Sequence, residues 1–389
     1  MTTRILVASS RLQEVAMICG NMPRFAAVRT LVLAALFVIG LAATTPLPAL
    51  AANSGTWANT GSMKTARTAH SATLLPNGQV LVAGGESSAG GLTSAELYNP
   101  VTGKWTFTGS MATRRYAHTA VLLPSGEVLV AGGIVSISIQ GVISCTATAE
   151  LYNPSTGRWT ATGSMATPRF AQGAALLQNG QALVAGGVNA IDGTLASAEL
   201  YDRSAGTWKE TGSMNYARST RATLLPSGQV LMAGGNSNTA ELYSNGSWTL
   251  TSTMKFSHPG THAALLTNGD VLVFGGNLSS YVSEFYNPSS GAWTATHNIG
   301  VNPPNGPLTL LRTGEVLLAG GESGYGTDAL CRLYDSPTNS WLLTGSMNQA
   351  RAVHTATLLQ NGQVLAAGGQ VKTPNGTFSV LASAELYTP

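Results

Sequence analysis

Between His70 and Gly85 the chain reads HSATLLPNGQVLVAGG, two apolar runs separated by a polar turn at Asn77-Gly78. Apolar runs flanking Asn-Gly predict two antiparallel strands joined by a tight hairpin. The following SAELYNP predicts a third strand ending at a proline or polar turn, and the segment around Trp105 a fourth. This order returns seven times, with Gly-Gly pairs beginning at Gly84, Gly132, Gly186, Gly234, Gly275, Gly320 and Gly368. A tyrosine closes each third strand, from Tyr98 to Tyr387, and all seven tryptophans fall at one repeat position, from Trp57 to Trp341. A turn glycine also recurs in every copy, from Gly78 to Gly362, where a positive φ accounts for it.

Four antiparallel strands make a small twisted sheet that cannot bury both faces alone. Radial stacking of such sheets around an axis buries them, so the pattern predicts an all-β, seven-bladed β-propeller from about Asn53 to Pro389. The seventh copy ends at Tyr387 without its Trp-bearing strand, and an unpaired SGTWANTGSM containing Trp57 precedes the first copy. The N-terminal strand is therefore expected to complete the last blade and close the ring.

A Gly-Gly pair after a hydrophobic strand, then Tyr, then Trp at this spacing resembles the kelch repeat. The copies are similar to those of secreted bacterial kelch-repeat proteins and of the central domain of galactose oxidase. The resemblance covers the whole repeat region and implies the propeller fold. Kelch propellers include enzymes, peptide-binding modules and actin-binding proteins, so it does not select a function.

Composition narrows the classes. Only 10% of residues are charged and 45 of 389 are glycine, which disfavours a long-helix protein. The net charge of +3 comes from the first 51 residues, where Arg4, Arg11, Arg24 and Arg29 face Glu14 alone. The remainder is neutral, without the basic surplus that nucleic-acid binding requires. Leu31 to Ala43 is an apolar run behind Arg24 and Arg29, followed by a small-residue site at Ala49 to Ala51. Residues 1–51 are thus expected to be a signal peptide, with translation starting at Met22 and residues 52–389 forming the kelch propeller. That places the chain outside the cell, in the periplasm or at the envelope, as a monomer with no membrane contact beyond the leader.

Antiparallel order puts the segments that follow GSM on the same face as the variable loops after each Gly-Gly. The longest such loop, Ile134 to Thr148, is apolar, and an extended hairpin packed on its neighbour is expected there. On this face Arg67, Arg115, Arg169, Arg218 and Arg351 occupy one repeat position, with His258 and Pro303 in the remaining two copies. Kelch modules that bind acidic peptides use arginines at similar positions, so the resemblance implies a rim that holds carboxylates. The alternative pairs this position with the third-strand glutamates Glu96, Glu150, Glu199, Glu241, Glu284 and Glu385. The sixth copy favours pairing, because Pro303 replaces its arginine and Arg332 stands near the glutamate position.

Catalytic chemistry finds little support in the sequence. His258, His262 and His297 are weak candidates for a metal site around the fifth copy. Galactose oxidase holds copper with two histidines and two tyrosines, one tyrosine crosslinked to cysteine, and no Tyr-His dipeptide occurs here. Cys145 and Cys331 fall four blades apart, too far for a disulfide. No G-x-S-x-G elbow and no phosphate loop are present. The expected function is a non-catalytic binding or scaffold module for a protein or glycan at the cell surface, without a cofactor. The alternative is a galactose-oxidase-like copper-radical oxidase of sugars or alcohols.

Overall fold

The computed structural model describes residues 55–389 except 236, 278, 279, 298, 300–304, 324 and 325. The expected leader and Pro303 lie outside the described residues. Every described element is a strand, and the main sheets are seven four-stranded antiparallel blades. Blade one runs outward from the axis through Ser71–Leu74, Val80–Ala83, Ala95–Asn99 and Lys104–Phe107. The innermost strands of consecutive blades touch one another all the way round, which defines a central channel.

Closure is as the repeat offset requires. Thr56–Thr60 pairs antiparallel with Ala384–Thr388, so the N-terminal strand is the outer strand of blade seven, with Trp57 opposite Tyr387. Ala384–Thr388 is thereby paired on both sides, and the outer edge of the blade passes to Thr56–Thr60.

Each hydrophobic core lies between two blades rather than within one. Leu81, Ala83 and Ala95 of blade one pack with Met111, Val128, Val130 and Tyr152, which belong to the blade-two side. The second strand of each blade is apolar throughout because neighbours cover both of its faces; Val80–Ala83 and its counterparts are fully buried. The recurrent TGSM and tryptophan form an outer clamp. Trp105 Nε1 donates to the Gly61 carbonyl at 2.7 Å and Thr60 Oγ1 meets Tyr98 OH at 2.8 Å, and the same bonds recur at the next seam.

The hairpin turn is longer than a two-residue Asn-Gly connection. Leu75 pairs with Gln79, and Gly78 N donates back to Leu75 O, leaving Pro76, Asn77 and Gly78 in the loop. Gly78 has φ 83° while Asn77 does not enter the left-handed region, so this is a type I turn closed by a left-handed glycine. Pro76 suits its second position.

The Gly-Gly pair has a different cause. Gly84 and Gly85 are left-handed at φ 62° and 96°, and a Cβ on Gly84 would lie 2.4 Å from the Arg115 carbonyl of the next blade. The pair lets the second strand end against its neighbour.

Candidate functional site

The segment after each methionine is tied directly to the loop after Gly-Gly. Single bridges join Thr68 to Glu86, Tyr116 to Ile134, Phe170 to Val188 and Ala352 to Gln370, so these segments share one face of the ring. The arginine position named from the sequence belongs to these segments.

Arg67, Arg115, Arg169, Arg218 and Arg351 lie beneath it, each at 0% relative exposure. Arg67 Nη2 donates to Glu96 Oε1 at 2.8 Å, and its Nη1 donates to the carbonyls of Gly84 and Ser94. The other oxygen of Glu96 accepts from Lys64 N at 2.7 Å. Thus one buried pair pins the incoming segment, the end of strand two and the start of strand three. The pairs Arg115–Glu150, Arg169–Glu199, Arg218–Glu241 and Arg351–Glu385 repeat it at 2.7–3.0 Å. Burial lowers the pKa of each guanidinium, while its glutamate opposes that shift. The rim expected to hold carboxylates is therefore occupied by carboxylates of the chain itself, and no guanidinium of the five faces solvent.

Blade five keeps the arrangement with different residues. His258 Nε2 meets Glu284 Oε2 at 2.9 Å and its Nδ1 meets the Gly275 carbonyl at 3.2 Å. Both partners of the ring are oxygen acceptors equivalent to those of the arginine in other blades, so His258 takes the place of the arginine. In blade six the register sets Arg332 opposite Leu318, the position of Glu96 opposite Val82, so the carboxylate of that blade is replaced by a guanidinium.

The solvent-facing chemistry lies at the mouth of the channel, where the innermost strands begin. Strand register aligns Ser71, Thr119, Gly173, Arg221, His262, Pro307 and Thr355 around it. The residues just before them are His70, His118, Gln172, Thr220, Thr261, Gly306 and His354. His70 Nε2 reaches Thr355 Oγ1 of the preceding blade at 3.1 Å, and His118 Nε2 reaches Ser71 Oγ at 2.9 Å. Burial, with the nearby arginines, pushes the His70 and His118 imidazoles down to about 3 and holds His262 and His354 well below their ordinary value. Arg221 is exposed there, and among the described residues no carboxylate pairs with it. Sequence reasoning passed over Arg221, although it is the arginine that breaks the one-per-repeat pattern in the fourth copy.

Just outside this ring lies a belt of strained backbone. Ala69, Ala117, Ala171 and Val353 all have φ between 51° and 53°, each immediately before the histidine or glutamine of its blade. Ala117 N donates to Ala69 O and Ala171 N to Ala117 O, so the belt is hydrogen-bonded from blade to blade. Left-handed non-glycine residues cost energy and persist only where their surroundings impose them.

Above the ring stand the loops. Ile134–Ile137 pairs with Ile143–Cys145 in the expected hairpin, whose inner side packs with Tyr116, Phe170 and Val188. Its tip carries Ile139 and Val142, exposed to 77% and 61%, and the tip of the adjoining blade-three hairpin carries Ile191 at 92%. In blade one the hairpin begins at Glu86, a buried carboxyl that desolvation pushes up to about 7.

The three weak metal candidates do not meet. His258 is committed to Glu284, His262 lines the channel mouth, and His297 is exposed with its Nδ1 donating to the Asn339 carbonyl at 2.7 Å. Among the described residues no three His, Cys, Asp or Glu side chains gather where a metal ion could sit. Cys145 and Cys331 are both free; Cys331 is buried against Trp57, and burial pushes its thiol up to about 11.

Residues 67–112 match the family model described as Kelch motif. No curated protein sequence matches the chain. Among solved structures, the chain is similar to a novel fungal alcohol oxidase of the AA5 family in complex with copper. That likeness has a TM-score of 0.70 at 19% identity and covers 87% of this chain and 77% of the oxidase. At that identity it speaks for the fold. With the Gly-Gly, Tyr and Trp positions recurring in every blade, the chain is a seven-bladed β-propeller, and its first blade carries the kelch motif match.

Proposed function

We propose that the chain is an exported, non-catalytic binding or scaffold module that takes a protein or glycan on the face bearing the hairpins. The observation that carries this reading is the pair of adjoining hairpin tips, where Ile139, Val142 and Ile191 stand in solvent. They rest on a rigid ring whose ion pairs are consumed internally. Apolar groups grouped on a loop face are the usual anchors of a partner surface, and loops on a stiff scaffold are where binding residues concentrate. Export rests on the leader pattern in residues 1–51.

The second reading is a copper-radical oxidase of sugars or alcohols, and the shared fold with a copper-containing alcohol oxidase is what favours it. The donor chemistry does not fit copper: among the described residues no three His, Cys, Asp or Glu side chains gather at one point, and no Tyr-His dipeptide is present.

A binding comparison tests the proposal. The purified chain is titrated onto immobilised glycans and envelope surface proteins, beside an I139D/I191D variant and an F107D control on the outer strand of blade one. Loss of binding in the hairpin variant with retention in the control supports the proposal. Equal binding by all three overturns it.

A further inference from the structure

We infer that the mouth of the central channel is a site for a small oxyanion, a carboxylate or a phosphate, centred on Arg221 with His262 and His354. This site is separate from the hairpin tips and does not depend on a macromolecular partner.

The argument begins with a broken repeat. In blades one and two the mouth histidine is satisfied by a hydroxyl on the preceding blade: His70 by Thr355 and His118 by Ser71. The same rule would satisfy His354 from blade six, but the register places Pro307 there, which has no hydroxyl. Both ring nitrogens of His354 are consequently buried without a partner, at 6% exposure. Gly306 precedes Pro307, so neither of these two positions of blade six brings a polar side chain to the gap.

Two further substitutions face that gap. The hydroxyl positions of blades four and five hold Arg221 and His262 instead. Register sets Arg221 and His262 on neighbouring blades at one level of the ring, with His262 and His354 on the two blades that flank Pro307; Arg221 acts electrostatically on His262, and His262 on His354. The other groups bearing on these imidazoles are His70 and Arg351, and among the described residues no carboxylate does so. Behind them Arg67 and Arg115 are neutralised by Glu96 and Glu150. The mouth thus offers one unpaired guanidinium fork and N–H donors of neutral imidazoles, with no acceptor of matching charge. A planar or tetrahedral oxyanion supplies what is missing, because arginine binds such groups bidentately. The buried imidazoles gain affinity for protons once the anion is present, so binding strengthens as pH falls.

The experiment is isothermal titration calorimetry on the full chain at pH 7 and pH 5.5, with sodium acetate and inorganic phosphate at constant ionic strength. Saturable one-to-one binding is expected, tighter at the lower pH. R221Q and H354L each weaken it at least tenfold, and R114Q, an exposed arginine of the same face, leaves it unchanged. Binding of acetate alone assigns a carboxylate, of phosphate alone a tetrahedral anion, and either supports the site. Absence of saturable heat from the unsubstituted chain up to about 10 mM of both anions overturns it. So does binding that R221Q leaves unchanged in a variant with native circular dichroism.

Discussion

Arg67 and Glu96 meet at 2.8 Å with both side chains withdrawn from water, and each also holds backbone groups of a different segment. The pair therefore joins three pieces of one blade at the edge of the face that would bind a ligand.

Removing one member of that pair leaves a buried charge without its partner. E96Q is expected to lower stability by about 3–5 kcal/mol, whereas R67M/E96L loses less than the single change. Urea unfolding followed by tryptophan fluorescence measures both. A double variant less stable than E96Q would contradict the assignment of the loss to an uncompensated charge.

The mouth histidines give the fold an acid sensitivity. His70 and His118 have folded values of about 3, below the unfolded value near 6.5. A group depressed on folding binds protons more readily when unfolded, so stability is fully present above about pH 6.5 and falls as pH drops towards 3. Each such histidine adds up to about 1.4 kcal/mol per pH unit to that slope. H70Q, which copies Gln172 of blade three, should flatten the fall in melting temperature between pH 7 and pH 4.5. An unchanged slope would count against burial as the cause.

Val353 holds φ 53° where three other blades use alanine. A β-branched residue is a pronounced outlier in the left-handed region. V353G is expected to raise stability by about 0.5–1 kcal/mol, because relief of strain exceeds the entropy glycine adds to the unfolded chain. Calorimetric melting decides it, and a lower melting temperature would show the strain to be absent.

Deleting Thr56–Thr60 leaves Ala384–Thr388 as an open edge and removes Trp57 from Tyr387, its neighbour at 5.2 Å. Such a chain is expected to melt earlier and to self-associate through the exposed strand. Size-exclusion chromatography against the uncut chain reads the change; a monomer of unaltered melting temperature would contradict closure by this strand.

Much of this structure is legible in the repeats. Tyrosine and tryptophan recur because their ring contact returns in all seven blades, so the copies expose the blades and the closing strand together. The Arg–Glu pairing is visible for the same reason, since blade six departs at both positions. The channel mouth is not legible by counting. Arg221 lies three residues after Arg218, as His70 lies after Arg67, yet strand register aligns Arg221 with Ser71. A one-residue shortening between Arg218 and Gly234 moves it, and only the pairing of strands reveals which residues share the ring. Exposure of Ile139, Val142 and Ile191 likewise depends on how the hairpins fold back on their neighbours.

The most direct test of a binding role against catalysis is copper loading followed by assay. The chain is incubated with copper, dialysed, analysed for bound metal, and supplied with galactose, primary alcohols and aldehydes while peroxide is measured. The binding account predicts substoichiometric copper and no peroxide above the buffer control. One copper per chain with substrate-dependent peroxide release would contradict it.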